Sequence, residues 1–166
     1  MIDRRMMLIG LGGLAVLGGL GWWRGGDRVA AGPFEVERND DEWRRMLEPA
    51  QYRVLRMHAT ERPFSSPLNA EKRKGVFACA GCELPLYSSD TKFESGTGWP
   101  SFYAPLPEAV ATSEDRSLLI PRTEVHCRRC GGHLGHVFND GPPPTGLRYC
   151  MNGIALKFVP DAETPA

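Results

Sequence analysis

The sequence predicts a mainly β fold of two antiparallel β-sheets with short N-terminal helices, and three observations carry that prediction. Glycine (19) and proline (14) are abundant in a chain of 166 residues, which suits a loop-rich β protein better than a helical one. The strand-like runs are short, apolar or alternating, and bounded by turn residues. Four of the five cysteines form two Cys-x-x-Cys pairs, Cys79/Cys82 and Cys127/Cys130. Two such pairs have the spacing that wraps four thiolates around one tetrahedral zinc, so the predicted fold is clipped by one structural ion per chain. The long gap between the pairs places them on two distant hairpins. The same cysteines would also allow two disulfides. A redox-active Cys-x-x-Cys fits less well, because neither pair opens a helix in a βαβ pattern.

The chain begins with a targeting pattern. Arg4 and Arg5 precede an uncharged stretch from Met6 to Trp23, long enough to cross a bilayer. Its six glycines make it a poor permanent helix. Val29 and Ala31 supply the small residues of a cleavage site. Residues 1–31 therefore read as an export signal cleaved after Ala31 or, uncut, as a membrane anchor. Asp3-Arg4-Arg5-Met6-Met7-Leu8 resembles a twin-arginine signal, with Asp3 where Ser or Thr is usual. Either reading places the protein in the bacterial periplasm or at the outer face of the inner membrane, touching membrane only through this segment. Recovery of the uncut chain in the cytosol would contradict it. Residues 32–39 read as a linker, 40–160 as the domain and 161–166 as a tail.

Within the domain, Asn39 or Asp40 caps a helix with Trp43, Met46 and Leu47 on one face. Pro49 ends it and starts a second helix through Tyr52, Leu55 and Arg56. Gly75 to Cys79 reads as a strand entering the first cysteine knuckle and Leu84 to Tyr87 as the strand leaving it. Gly81, Gly131 and Gly132 occupy positions where such knuckles need positive φ. Glu114 to Ser117 and Leu118-Leu119-Ile120 predict a hairpin, followed by a strand from Arg122 to Cys127. Val137-Phe138 is a short strand, and Leu147 to Phe158 reads as the last one.

Composition excludes some functions. Twenty acidic and twenty basic residues give zero net charge, so there is no global field to hold nucleic acid. Nothing in the pattern requires more than a monomer.

Chemistry concentrates between His126 and Gly153. Cys150 has no partner if four thiols take a metal. A lone cysteine is commonly a small buried hydrophobe, but Arg148 and Asn152 alternate with it on one strand face. A guanidinium beside a thiol raises its thiolate fraction. His133 and His136 are candidate proton donors to an oxygen leaving group.

These motifs, together with Ser95-Gly96-Thr97-Gly98-Trp99-Pro100-Ser101-Phe102, the run from His133 to Pro142 and Arg148-Tyr149-Cys150-Met151-Asn152, resemble methionine sulfoxide reductases of the B type from about Asp41 to Phe158. The resemblance implies reduction of methionine R-sulfoxide in oxidised peptides or proteins. It makes Cys150 the nucleophile and gives His133 and His136 the oxygen. Asp140 and Arg148 would tune the site, Asn152 would support it, and Trp99 with Phe138 would seat the methyl group. Many such sequences carry a second cysteine between the two glycines, where this chain has Thr97. Regeneration then falls to an external thiol, thioredoxin-like or other. The rival reading is a zinc-stabilised β binding module without catalysis; another is a thiol–disulfide exchanger. Iodoacetamide reactivity at neutral pH separates the reductase from the binding module, because a buried structural thiol is inert.

Overall fold

The computed structural model describes residues 34–162. The export or anchor reading of residues 1–31, the start of the linker and most of the tail lie outside them. Among the described residues no helix is long and apolar enough to cross a membrane.

Helix α1 (Asp40–Met46) starts at a capping box. Asn39 Oδ1 accepts from the Glu42 amide at 3.0 Å, and Glu42 accepts from the Asn39 amide at 2.8 Å, so each side chain satisfies the other residue's otherwise orphaned donor. Pro49 then opens α2 (Pro49–Met57). Trp43, Leu47, Tyr52, Val54 and Leu55 are buried. Met46, expected on the inner face, is 53% exposed, because α1 ends there and the extended turn at Leu47 releases it from the stripe.

The strands form two antiparallel sheets, as the sequence predicts. The smaller has β2 (Pro85–Ser88), β1 (Gly75–Cys79) and β9 (Leu156–Pro160) in that order. The larger runs β3 (Lys92–Phe93), β4 (Ser101–Phe102), β8 (Arg148–Met151), β7 (His133–Phe138), β6 (Arg122–Cys127) and β5 (Val110–Asp115).

Three predicted elements differ. The last run is not one strand: β8 stops at Met151, a 3₁₀ turn spans Gly153–Ala155, and β9 continues in the other sheet. The Glu61 carboxylate holds this crossing, accepting from the Gly153 amide and, at 3.2 Å, from the Ile154 amide. Strand β7 begins at His133, earlier than predicted. Leu118, Leu119 and Ile120 are the exposed tip of the β5–β6 hairpin, not part of a strand.

The core lies between the sheets. Tyr87 of β2 stacks on Phe102 of β4 at 4.4 Å, and Phe77 of β1 meets Phe102 edge-on at 5.0 Å. All three are buried. Each such ring removes roughly 150–250 Å² from water, an upper bound on the order of 4–6 kcal/mol by area. Packing on this inner face leaves the outer face of the larger sheet available for polar side chains.

Candidate active site

Two turns of the same geometry bring the four paired cysteines together. In each, the residue after the second cysteine has positive φ: Glu83 at 60° and Gly131 at 67°. Its amide donates to the carbonyl of the first cysteine, from Glu83 to Cys79 at 2.8 Å and from Gly131 to Cys127 at 2.9 Å. Of the glycines expected at positive φ, only Gly131 adopts it. Gly132 serves close approach instead, since a Cβ there would meet Leu55 of α2 at 3.0 Å, whereas a Cβ on Gly81 would make only ordinary contact with Leu55, at 3.5 Å.

The Sγ separations are 3.7 Å for Cys79–Cys130 and 3.5 Å for Cys82–Cys127, and all four sulfurs lie within 4.8 Å of one another. A disulfide needs about 2.05 Å. Tetrahedral metal–thiolate bonds of about 2.3 Å give edges of about 3.8 Å, so the donor set fits one metal ion and not two disulfides. The Gly81 amide points at Cys79 Sγ, at 3.4 Å, as expected for a sulfur carrying negative charge. The cluster joins the β1–β2 turn of one sheet to the β6–β7 turn of the other.

The second assembly lies on the outer face of the larger sheet. Cys150 pairs with Ser101 on β4 and with His136 on β7, while Arg148 pairs with Phe138. Residues paired across a ladder share a face, so one face carries Cys150, Arg148, His136 and Phe138, extended by Glu124 opposite His136 and by Ser113 and Asp115 opposite Glu124 and Arg122. The opposite face carries Met151 and Tyr149 towards the core. A regular strand would point His133 and His136 to opposite faces. The ladder slips between Val125 and His126, leaving Leu134 as an extra residue, and this bulge returns both histidines to one face, ring centroids 5.5 Å apart. Gly135 permits the close strand pairing, since a Cβ there would run into the Cys150 carbonyl.

Cys150, His136, Phe138, Trp99, Asn152, Arg122, Thr60 and Gly135 line an open cavity of about 130 Å³. Thr97 Oγ1 lies 3.7 Å from Cys150 Sγ and continues through Ser95 to Ser101 by hydroxyl contacts of 2.9 and 2.7 Å. Trp99 is fixed by its indole N–H, which donates to the Glu61 carbonyl at 3.2 Å. Asn152 is buried; its Nδ2 donates to the Leu134 carbonyl at 3.0 Å, and its Oδ1 accepts from the Glu61 amide at 3.0 Å. Arg148 makes a two-pronged pair with Asp140 at 2.8 and 2.9 Å, its guanidinium 4.4 Å above Phe138. Asp140 first, and Cys150 among the lesser causes, raise the Arg148 pKa against the opposing effect of burial.

The two histidines hold different places. His136 lines the cavity, with Nε2 2.7 Å from Asp115 Oδ2; Arg122 donates to the same oxygen at 2.6 Å. His133 is buried behind it, Nδ1 2.7 Å from Glu124 Oε1, and its Nε2 has no hydrogen-bond partner among the described residues. Glu124 also accepts from Ser113 at 2.6 Å and lies 3.1 Å from His58 Nδ1. His58, Glu124 and His133 are close enough to hold an ion, but both Nδ1 atoms meet the same Glu124 oxygen, which makes the group a positioning network. The sequence reading missed Asp115, Arg122 and Glu124. Their alternation along β5 and β6 was visible, but their partners depend on cross-strand register.

Burial pushes the Glu124 and Asp115 carboxyls up. Hydrogen bonds from His133, His58 and Ser113 to Glu124, and from Ser117, His136 and Arg122 to Asp115, outweigh it and hold both well below the usual carboxylate range. Burial lowers the His136 pKa, and Asp115 only partly offsets that. The signs agree. As pH falls, the unfolded chain takes up these protons before the folded one, so acid favours unfolding. The Tm should hold above about pH 7, fall first from about pH 6.5, where free histidine protonates, and fall more steeply below about pH 4. A Tm that rose from pH 7 to pH 5 would contradict this assignment.

Fold and site together define a class: a two-sheet β domain clipped by four thiols, with a fifth thiol in a cavity walled by aromatic rings and His136. Residues 47–160 match the SelR domain family. The peptide methionine sulfoxide reductase MsrB of Pseudomonas putida strain W619 is 54% identical over 127 residues, 76% of this chain and 96% of its own. That of Methanosarcina barkeri is 56% identical over 129 residues, 77% and 91% of the two chains. That of Agrobacterium fabrum is 53% identical over 127 residues, 76% and 94%. The chain belongs to the peptide methionine sulfoxide reductase B family.

Proposed function

We propose that the chain reduces methionine R-sulfoxide in peptides and proteins to methionine, with Cys150 as nucleophile. The observation that carries this reading is the division of the thiols. Four are committed to one another, and the fifth stands in the cavity directly across a strand pair from His136. The family resemblance supplies the R configuration.

Cys150 Sγ, as thiolate, attacks the sulfoxide sulfur while the sulfoxide oxygen takes up a proton. The oxygen passes to Sγ and methionine leaves, so the substrate sulfur gains two electrons and Cys150 becomes a sulfenic acid. His136, paired with Cys150 across the β7–β8 ladder and lining the same cavity, is the proton donor; Asp115 fixes its ring, and His133 with Glu124 backs it. Trp99 and Phe138 seat the methyl group. Arg148, oriented by Asp140, places a fixed positive charge beside the sulfur, and Asn152 holds the end of β8. An external thiol then attacks the sulfenic sulfur, releasing water, and a second thiol frees Cys150 from the mixed disulfide.

Cys79, Cys82, Cys127 and Cys130 would hold zinc, whose contribution would be structural, clipping the two sheets together. Assaying the two sulfoxide epimers separately, with and without a chelator, tests the reading. Turnover of the R epimer alone is expected, and turnover of the S epimer alone would defeat it.

Thr97 stands where a resolving cysteine can be built. Because its Oγ1 is already 3.7 Å from Cys150 Sγ, Thr97→Cys should convert the sulfenic acid to an internal disulfide within one turnover. Peptide mapping that found Cys150 still as sulfenic acid in this variant would contradict the placement of the 96–98 loop.

A further inference from the structure

Around the cavity mouth the surface is apolar in a way that neither the core nor the chemistry requires. Leu118, Leu119 and Ile120 are 59%, 104% and 76% exposed at the β5–β6 tip. That tip is continuous with the site: Asp115 at one foot meets His136, and Arg122 at the other lines the cavity. On the Trp99 wall, Phe64 is 73% exposed. Its backbone lies at φ 62°, a region an aromatic residue enters only under constraint. The constraint is visible, since the Phe64 amide donates to the Gly98 carbonyl at 2.7 Å. Exposed apolar clusters of this kind mark contact surfaces.

We propose that the Leu118–Ile120 tip and Phe64 form subsites for apolar residues flanking the oxidised methionine in an extended substrate chain. The inference rests on the reductase reading above. A methionine side chain that reaches Cys150 carries polypeptide out in both directions over the rim, and the rim it meets is apolar. The charges flanking the tip pair with one another, Arg116 with Glu114 at 2.9 Å and Arg122 with Asp115 at 2.6 Å, so the tip presents no net charge to read. The substrates favoured are therefore sulfoxides within apolar segments rather than those in polar ones.

The test uses the full chain and three R-sulfoxide substrates: N-acetylmethionine sulfoxide methylamide, a peptide with leucines on both sides of the sulfoxide, and the same peptide with serines. Wild type should show kcat/KM about tenfold higher for the leucine peptide than for the serine peptide, equivalent to about 1.4 kcal/mol. The combined Leu118→Ser, Leu119→Ser, Ile120→Ser variant should bring the two within about twofold, leaving the capped amino acid unchanged. Phe64→Ser should reduce the preference in part. Unaltered discrimination in the triple variant overturns the proposal. So does a tip whose removal abolishes liposome binding or self-association while flank preference stays intact. A wild type inactive on all three substrates would defeat the reductase reading itself.

Discussion

Cys150→Ser is expected to lower kcat/KM by at least about 10⁴-fold while leaving the fold and metal content intact. The size follows from chemistry: the substitution changes one atom, but that atom is the soft nucleophile, and a serine hydroxyl is neither ionised nor polarisable enough to replace it. The fold should survive because Cys150 lies outside the hydrophobic core, and its sulfur meets polar neighbours, the Thr97 hydroxyl and the Arg148 guanidinium, that a serine hydroxyl can also meet. The β8 pairing with Ser101 and His136 uses backbone groups. Parallel measurement of turnover, Tm and zinc content checks this. Activity within tenfold of wild type would remove Cys150 from the mechanism.

Cys127→Ser is expected to have the opposite profile, with loss of metal and of the folded state together. Structural zinc contributes on the order of 10 kcal/mol in small peptides, comparable to the whole stability of a typical domain, about 5–15 kcal/mol. Cys127 is fully buried at the end of β6 and faces Cys82 at 3.5 Å. Removing it opens the link between the sheets and unseats α2, whose Leu55 packs on both cysteine turns. Circular dichroism and metal analysis of the purified variant decide the matter. A folded variant that kept one zinc per chain would contradict the clip.

Much of this was legible in the sequence because it depends on local spacing. The cysteine knuckles, the strand from Gly75 to Cys79 and the strand from Arg122 to Cys127 follow from motifs that fix geometry within a few residues. Even there the glycines depart from expectation, since Glu83, not Gly81, takes the left-handed position in the first turn. What could not be read depends on register. The bulge at Leu134 places His133 and His136 on one face, and a glycine inside a strand, Gly135, was the only local hint of it. Asp115, Arg122 and Glu124 join the site through pairings across β5, β6 and β7, which no single run of sequence specifies. The split of the last strand into β8 and β9 depends on Glu61, far away in the chain, reaching the Gly153 and Ile154 amides.

The most direct test is mass spectrometry of the metal-loaded protein after a single turnover of methionine R-sulfoxide, with a sulfenic-acid trap present. The account predicts one trapped adduct per chain, on Cys150, with Cys79, Cys82, Cys127 and Cys130 unmodified and the metal retained. An adduct elsewhere, or a disulfide joining Cys150 to one of those four with release of the metal, would contradict it.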